Sequence, residues 1–193
     1  MTQSNLTRAA LFIGMQACCG LAASHATAGV LNGVEYRSYN GRSGFAASST
    51  MEVARDGYFG LKCLNGGTGT RRIAWPLDVP AGHELVFVEI WGNDLSDSND
   101  LDFEVVERCQ PYASGDLTTR TVLASTGASG SGGWFQATLG IPPHLVQPST
   151  CTYTLEATFA AAGAACDGSN LSVTRLTLIT NDPDVIFRDA FDR

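Results

Sequence analysis

A single lysine, Lys62, and a charged fraction of 16% leave this 193-residue chain with very little basic surface. Twelve Lys and Arg stand against nineteen Asp and Glu. The resulting net charge of −7 repels phosphate backbones and anionic lipid, so nucleic acid is not an expected partner. Long apolar runs are missing after residue 28. The longest stretch of large apolar side chains there is Leu85 to Val88, far below the ~20 residues of a membrane span. No Cys-x-x-Cys occurs, and beyond residue 28 only His83 and His144 remain as imidazoles, which argues against zinc. Gly-x-Ser-x-Gly is absent as well, so there is no nucleophile elbow. Gly66-Gly67-Thr68-Gly69 lacks the Gly-Lys-Ser/Thr that closes a phosphate loop and reads as an ordinary loop.

The amino terminus is patterned. Met1 to Arg8 is polar with one positive charge, Ala9 to Ala23 is apolar apart from Gln16, and Ala26-Thr27-Ala28 precedes Gly29. This is the three-part plan of a secretory signal peptide with cleavage after Ala28. A lipid on Cys18 or Cys19 is the alternative, but Met15-Gln16-Ala17 fits a lipobox poorly. Cleavage divides the chain into a signal peptide (1–28), one domain (29–181) and a short tail (182–193), and leaves no transmembrane segment. It also reduces six cysteines to four, Cys63, Cys109, Cys151 and Cys166, which in an exported chain predict two disulfides.

Period-two alternation dominates the domain. Cys151, Tyr153, Leu155, Ala157 and Phe159 alternate with Thr152, Thr154, Glu156 and Thr158, which predicts a half-buried strand. Leu101, Phe103 and Val105 alternate with Asp102 and Glu104, while Leu85 to Trp91 is apolar on both faces except for Glu89 and reads as a central strand. Asp56-Gly57 predicts a tight hairpin turn. Pro76 demotes Ile73 to Val79 to an edge strand or a bulge, and Phe159 to Ala165 is a connection leading to a last strand, Leu171 to Thr180. Eight or nine mostly antiparallel strands separated by polar turns predict an all-β fold, a single jelly-roll-like β-sandwich.

An antiparallel hairpin of Cys151–Phe159 with Leu171–Thr180 would hold Cys151 and Cys166 too far apart to bond. Excluding that pair also excludes Cys63 with Cys109. Two pairings remain, and Cys109–Cys151 with Cys63–Cys166 is favoured over Cys63–Cys151 with Cys109–Cys166 because Cys109 and Cys151 both flank strong strands.

Three groups of residues suggest chemistry. The loop from Trp91 to Asp102 carries Asp94, Asp97 and Asp100 with Asn93 and Asn99, the hard oxygen donors that Ca²⁺ takes, although the spacing is not that of an EF-hand. The competing reading is a solvated loop capped by its own Asx side chains. Glu89 shares a strand face with Trp91 as a ligand-binding pair, and Glu104 is a conceivable second carboxylate for a glycosidase, weakened by facing away from its own apolar stripe. Trp75, Trp91, Trp134, Tyr36, Tyr39 and Tyr112 are candidates for a sugar-stacking platform, against a core or rim role for most of them. His83 and His144 read as loop residues.

The last residues, Ile186-Phe187-Arg188-Asp189-Ala190-Phe191-Asp192, resemble the I-F-x-D-G-F-E/D tail of exported gammaproteobacterial proteins, with Ala190 in place of the usual Gly. More loosely, Pro80-Ala81-Gly82, Trp91-Gly92, Asp94, Asp100-Leu101, Val105 and Arg108-Cys109 are similar to uncharacterised secreted bacterial β-sandwich proteins. The resemblance implies export and a sandwich fold and carries no activity. The expectation is therefore a secreted, periplasmic or cell-surface β-sandwich without a catalytic site, a binding or structural module whose ligand is a glycan or a protein. The alternative is a carbohydrate-active sandwich, a Ca²⁺-assisted glycan-binding module or a glycosidase.

Overall fold

The computed structural model describes residues 29–31, 33–47, 51–56, 60–66, 70–97, 99–110, 119–128, 132–147 and 149–183. The expected signal peptide with Cys18 and Cys19, the turn at Gly57, Gly67 to Gly69, Tyr112 and tail residues 184–193 lie outside the described residues.

The strands are β1 (Gly29–Leu31), β2 (Val34–Asn40), β3 (Phe45–Ala46), β4 (Met51–Asp56), β5 (Gly60–Gly66), β6 (Arg71–Leu77), β7 (Glu84–Asp94), β8 (Asp102–Cys109), β9 (Thr119–Gly127), β10 (Gly133–Leu145), β11 (Cys151–Ala160) and β12 (Leu171–Asn181). Short 3-10 turns occupy Gly41–Ser43 and Gly168–Asn170. In a seven-stranded sheet, β12 is flanked on one side by β7 and then β10. On its other side, β2 pairs along Arg175 to Asn181 and β5 at Val173, with β1 and β4 outside them. The second sheet is five-stranded, in the order β3-β6-β11-β8-β9. Setting β5-β12-β7-β10 over β6-β11-β8-β9, with the chain passing repeatedly between sheets, gives jelly-roll topology.

The alternation read from the sequence is what builds the core. Tyr153, Leu155, Ala157 and Phe159 of β11 and Phe103 and Val105 of β8 point inward, where they meet Val88 and Ile90 of β7 and Leu176 and Leu178 of β12. Each fully buried Leu, Ile or Phe here contributes about 1.5–3 kcal/mol. Trp75 lies at the centre, fully buried, with its indole Nε1 donating to the Gly41 carbonyl at 2.7 Å. At Gly60, a φ of 78° and the close approach of the Val173 carbonyl leave no room for a Cβ.

Several expectations need correction. Among the described residues there are twelve strands rather than eight or nine, in part because β1 and β3 span only three and two residues and show no readable period. β11 and β12 do not form a hairpin: β11 pairs with β6 and β8 in one sheet, and β12 lies in the other. Pro76 is tolerated because β6, although flanked on both sides, is covered by β3 only at Ile73 and Ala74. His144 is part of β10, just past the register shift that takes up Pro142 and Pro143.

Both disulfides follow the favoured pairing. Cys109 and Cys151 are direct partners across β8 and β11, and Cys63 of β5 reaches Cys166 in the connection before β12. With sequence separations of 103 and 42, the chain-entropy model assigns each about 4 kcal/mol or slightly more. No helix among the described residues is long and apolar enough to cross a membrane.

Candidate functional site

Because neighbours across a sheet share a face, the pairing register maps each outer surface in rows. On the seven-stranded sheet, Val88, Ile90, Leu139, Leu176 and Leu178 point into the core, so the residues between them point out. Four rows result, namely Trp134·Asn93·Ser172, Gln136·Trp91·Arg175·Asn40, Thr138·Glu89·Thr177·Ser38 and Gly140·Phe87·Ile179·Tyr36. The expected pair of Glu89 and Trp91 is therefore brought together on one outward face.

That face holds two of the three most exposed aromatic side chains among the described residues. Trp134 is 63% exposed and Tyr36 43%, and Trp91 is half-buried. Trp134, Trp91, Thr177 and Tyr36 occupy successive strands and successive rows, so the three aromatics fall on one diagonal of the sheet. Diagonal neighbours lie roughly 7–8 Å apart, which makes the three-step track roughly 21–24 Å long. The guanidinium of Arg175 stacks over the Trp91 ring, 3.8 Å from its centroid. Polar groups fill the spaces: Glu89, Gln136, Thr138 and a Ser38–Thr177 hydroxyl pair at 3.2 Å. At the head of the track, beside Trp134, Asn93 is 2% exposed and Ser172 fully buried, yet Asn93 Nδ2 and Ser172 Oγ have no hydrogen-bond partner. Leaving such groups unpaired costs about 1–3 kcal/mol each.

Trp75 does not join the platform, being in the core, and Tyr39 is packed against it with its hydroxyl accepting from Asp78 N at 2.9 Å. The sequence reading grouped all these aromatics together. Only the register separates Trp91, Trp134 and Tyr36 from the rest.

The outer face of the five-stranded sheet is of another kind. One row runs Phe45·Ala74·Glu156·Glu104·Ser125, flanked by Arg72·Thr158·Asp102·Gly127 and, further along, Thr152·Arg108·Arg120. Glu156, only 3% exposed, accepts from Arg108 through Oε1 and from Arg120 through Oε2 at 3.0 Å, with Arg72 at 3.7 Å. Arg120 and Arg72 also pair with Glu104. Burial pushes the Glu156 carboxyl up, but hydrogen bonds and charge from Arg108 and Arg120 outweigh it and hold the group below the usual carboxylate range. A cavity of about 500 Å³ opens beside this network, lined by Arg72, Asp102, Glu104, Ser125 and Thr158 among others.

Glu89 and Glu104 thus point away from each other on the two outer faces of the sandwich. They cannot flank a glycosidic bond, which corrects the expected pairing. Between the sheets, His144 Nε2 and the Tyr153 hydroxyl both meet Glu107 Oε1 at 2.9 Å. Glu107 also groups with Cys109 and Cys151, but those sulfurs are bonded to each other and offer no thiolate to a metal. Asp94 is buried, whereas Asp97 and Asp100 are exposed.

The architecture is that of a jelly-roll β-sandwich with one aromatic and one ion-paired outer face. No family model matches the sequence, and no curated protein matches it. Among solved structures, the chain is similar to the CBM22-1–GH10 modules of endo-1,4-β-D-xylanase 10B from Clostridium thermocellum, complexed with xylohexaose, at 11% identity and a TM-score of 0.46. That match covers 74% of this chain but 26% of the other, so the chain spans about a quarter of that protein's length. It is also similar to the CBM22-2 xylan-binding domain from Paenibacillus barcinonensis, at 12% identity and TM-score 0.42, covering 75% and 94% of the two chains. An adhesin domain of Lys-gingipain from Porphyromonas gingivalis aligns at 12% identity and TM-score 0.31, over 75% and 96%. At these identities the likeness is one of sandwich layout and assigns neither ligand nor activity.

Proposed function

We propose that this protein is an exported binding module without a catalytic site, which takes a neutral glycan chain on the outer face of its seven-stranded sheet. The observation that carries the reading is the diagonal of Trp134, Trp91 and Tyr36, interleaved with Glu89, Gln136, Thr138 and Arg175. Aromatic rings cover the apolar faces of sugar rings, and the carboxylate, amide, hydroxyl and guanidinium groups between them suit equatorial hydroxyls. Within the four rows, one carboxylate and one guanidinium, Glu89 and Arg175, offset each other, which favours an uncharged ligand. Two disulfides fit an oxidising compartment, in line with export.

Glu156, the most buried glutamate among the described residues, is not poised as a catalytic acid. A glycosidase acid needs its pKa raised, and Glu156 is instead held low by arginines. A second reading, a small polar ligand in the cavity beside Arg72 and Asp102, is favoured only by that cavity.

Affinity electrophoresis and calorimetry of the full chain against a panel of neutral polysaccharides test the proposal. Binding that disappears in Trp134→Ala and persists in Asp102→Ala supports it. Retention of an anionic polymer or a protein instead, or binding lost only in Asp102→Ala, overturns it.

A further inference from the structure

The ion-paired face carries its cavity at the end of the five-stranded sheet where β8 begins. The row Arg72·Thr158·Asp102·Gly127 crosses β6, β11, β8 and β9 there and contributes to the lining. At about 500 Å³ the cavity falls within the roughly 300–1,000 Å³ typical of small-molecule sites. Thr70, just before β6, Ala161 and Ala162, just after β11, and Ser125 of β9 supply further wall. Gly127 keeps the flank of Asp102 open, since a Cβ at that position would stand 3.3 Å from Asp102 Oδ1.

The charges of this wall are unequally satisfied. Glu104 accepts from Arg120, and Arg72 lies 3.7 Å from both Glu104 and Glu156 while its Nε donates to Thr158 Oγ1 at 3.4 Å. Asp102 stands outside that network. Among the described residues, no side-chain donor meets its carboxylate. Two carboxylates against one guanidinium, Asp102 and Glu104 against Arg72, leave the lining with one negative charge in excess.

We propose that this cavity binds a small hydroxylated amine, a free hexosamine, with its ammonium on Asp102 and its hydroxyls on Thr70 and Ser125. The excess carboxylate selects a cation, and an ammonium brings it charge-assisted donors. Side-chain hydroxyls both donate and accept, which suits a ligand whose own hydroxyls do the same. A metal ion finds no second free carboxylate here, because Arg120 holds Glu104. An amino acid fits worse than an amino sugar. Its carboxylate would need a cation, and Arg72 is already shared by Glu104 and Glu156, so like charges would meet. Phe103, which also borders the cavity, is fully buried, so polar groups rather than ring stacking hold the ligand. The site is additional to the aromatic track on the opposite face and does not rest on it.

Amide NMR titration of the full chain with glucosamine at about pH 6, below the range in which α-amino groups lose their proton, is the test. Saturable shifts centred on Asp102, Ser125 and Thr158 are expected, with affinity at least about tenfold weaker for glucose and for N-acetylglucosamine, which lack the ammonium. Asp102→Asn alters an exposed side chain, so it should keep the parent melting temperature and lose a comparable factor in affinity. Trp134→Ala should bind glucosamine as the parent does, which separates this site from the glycan face. Glucose bound as tightly as glucosamine, an Asp102→Asn variant with parental affinity, shifts that map to the Trp134 face, or no saturable shift at all overturns the assignment.

Discussion

The two outer faces of this sandwich solve one problem in opposite ways. Each is a twisted antiparallel surface that must present side chains to water, and each carries charged groups near its middle. On the five-stranded sheet, Glu156 and Glu104 are satisfied by Arg72, Arg108 and Arg120 of the same face, and the network is closed. On the seven-stranded sheet, Trp134 and Tyr36 stay largely exposed, while Asn93 and Ser172 are buried with groups unpaired. A closed polar network contributes to folding and has little left to offer a ligand. A face with aromatic surface and unpaired polar groups has not finished its interactions within the chain.

Breaking the closed face should produce the largest effect. Glu156→Ala strands Arg108 and Arg120 beside each other, and loss of one partner of a buried ion pair costs about 3–5 kcal/mol. Because the arginines are about a third exposed, a loss near the lower figure, about 3 kcal/mol, is expected in urea denaturation. Glycan affinity should not change. If binding falls in step with stability, the two faces are not separate in function.

The reciprocal variant sharpens the contrast. Trp134→Ala truncates a ring that is 63% exposed, so stability should stay within about 0.5 kcal/mol. Ligand affinity should drop at least tenfold, the scale of losing a large aromatic contact at about 1.4 kcal/mol or more. Equal affinity in the two proteins would remove the aromatic track from the binding surface.

Acid should distinguish the faces without mutation. Glu156 is held below its unfolded pKa of 4.5, so the stability it contributes is fully present above that value and is lost as pH falls through its lower folded value. Glu156→Gln should flatten the acid limb of a stability–pH curve below about pH 4.5. At the other extreme, burial and the Glu107 carboxylate push the Tyr153 hydroxyl up to about 12, against the Gln147 N–H, which lowers it. Its contribution is complete below pH 10 and is lost as pH rises through about 12, so Tyr153→Phe should blunt the alkaline transition.

How much of this was legible in the sequence depends on which link of the chain is asked about. Period-two alternation in Cys151 to Phe159 and in Leu101 to Val105 was enough for strands, and the number of turns was enough for a sandwich. Strand pairing was not legible, because alternation shows that a strand has two faces without showing which sheet it joins. That is why Glu89 and Glu104 read as neighbours and lie on opposite sides of the molecule, and why β11 and β12 read as a hairpin. The same gap hid the arginine network, whose members come from four strands separated by up to 84 positions between Arg72 and Glu156.

Arg175 provides the smallest and most discriminating change. Its guanidinium covers one face of the Trp91 ring at 3.8 Å, a cation–π contact at an exposed site worth about 0.5–1 kcal/mol. Arg175→Ala should therefore lower stability by no more than that amount and shift the fluorescence of Trp91 to longer wavelength as water replaces the side chain. Its effect on binding separates two versions of the track. If the sugar chain uses the Trp91 ring face, removing the covering arginine uncovers a stacking surface and affinity rises. If Arg175 itself donates hydrogen bonds to sugar hydroxyls, affinity falls while the fluorescence shift is unchanged. Glu89, one strand away and one row further along the face, supplies the control: in the second version Glu89→Gln reduces affinity together with Arg175→Ala, and in the first it acts independently.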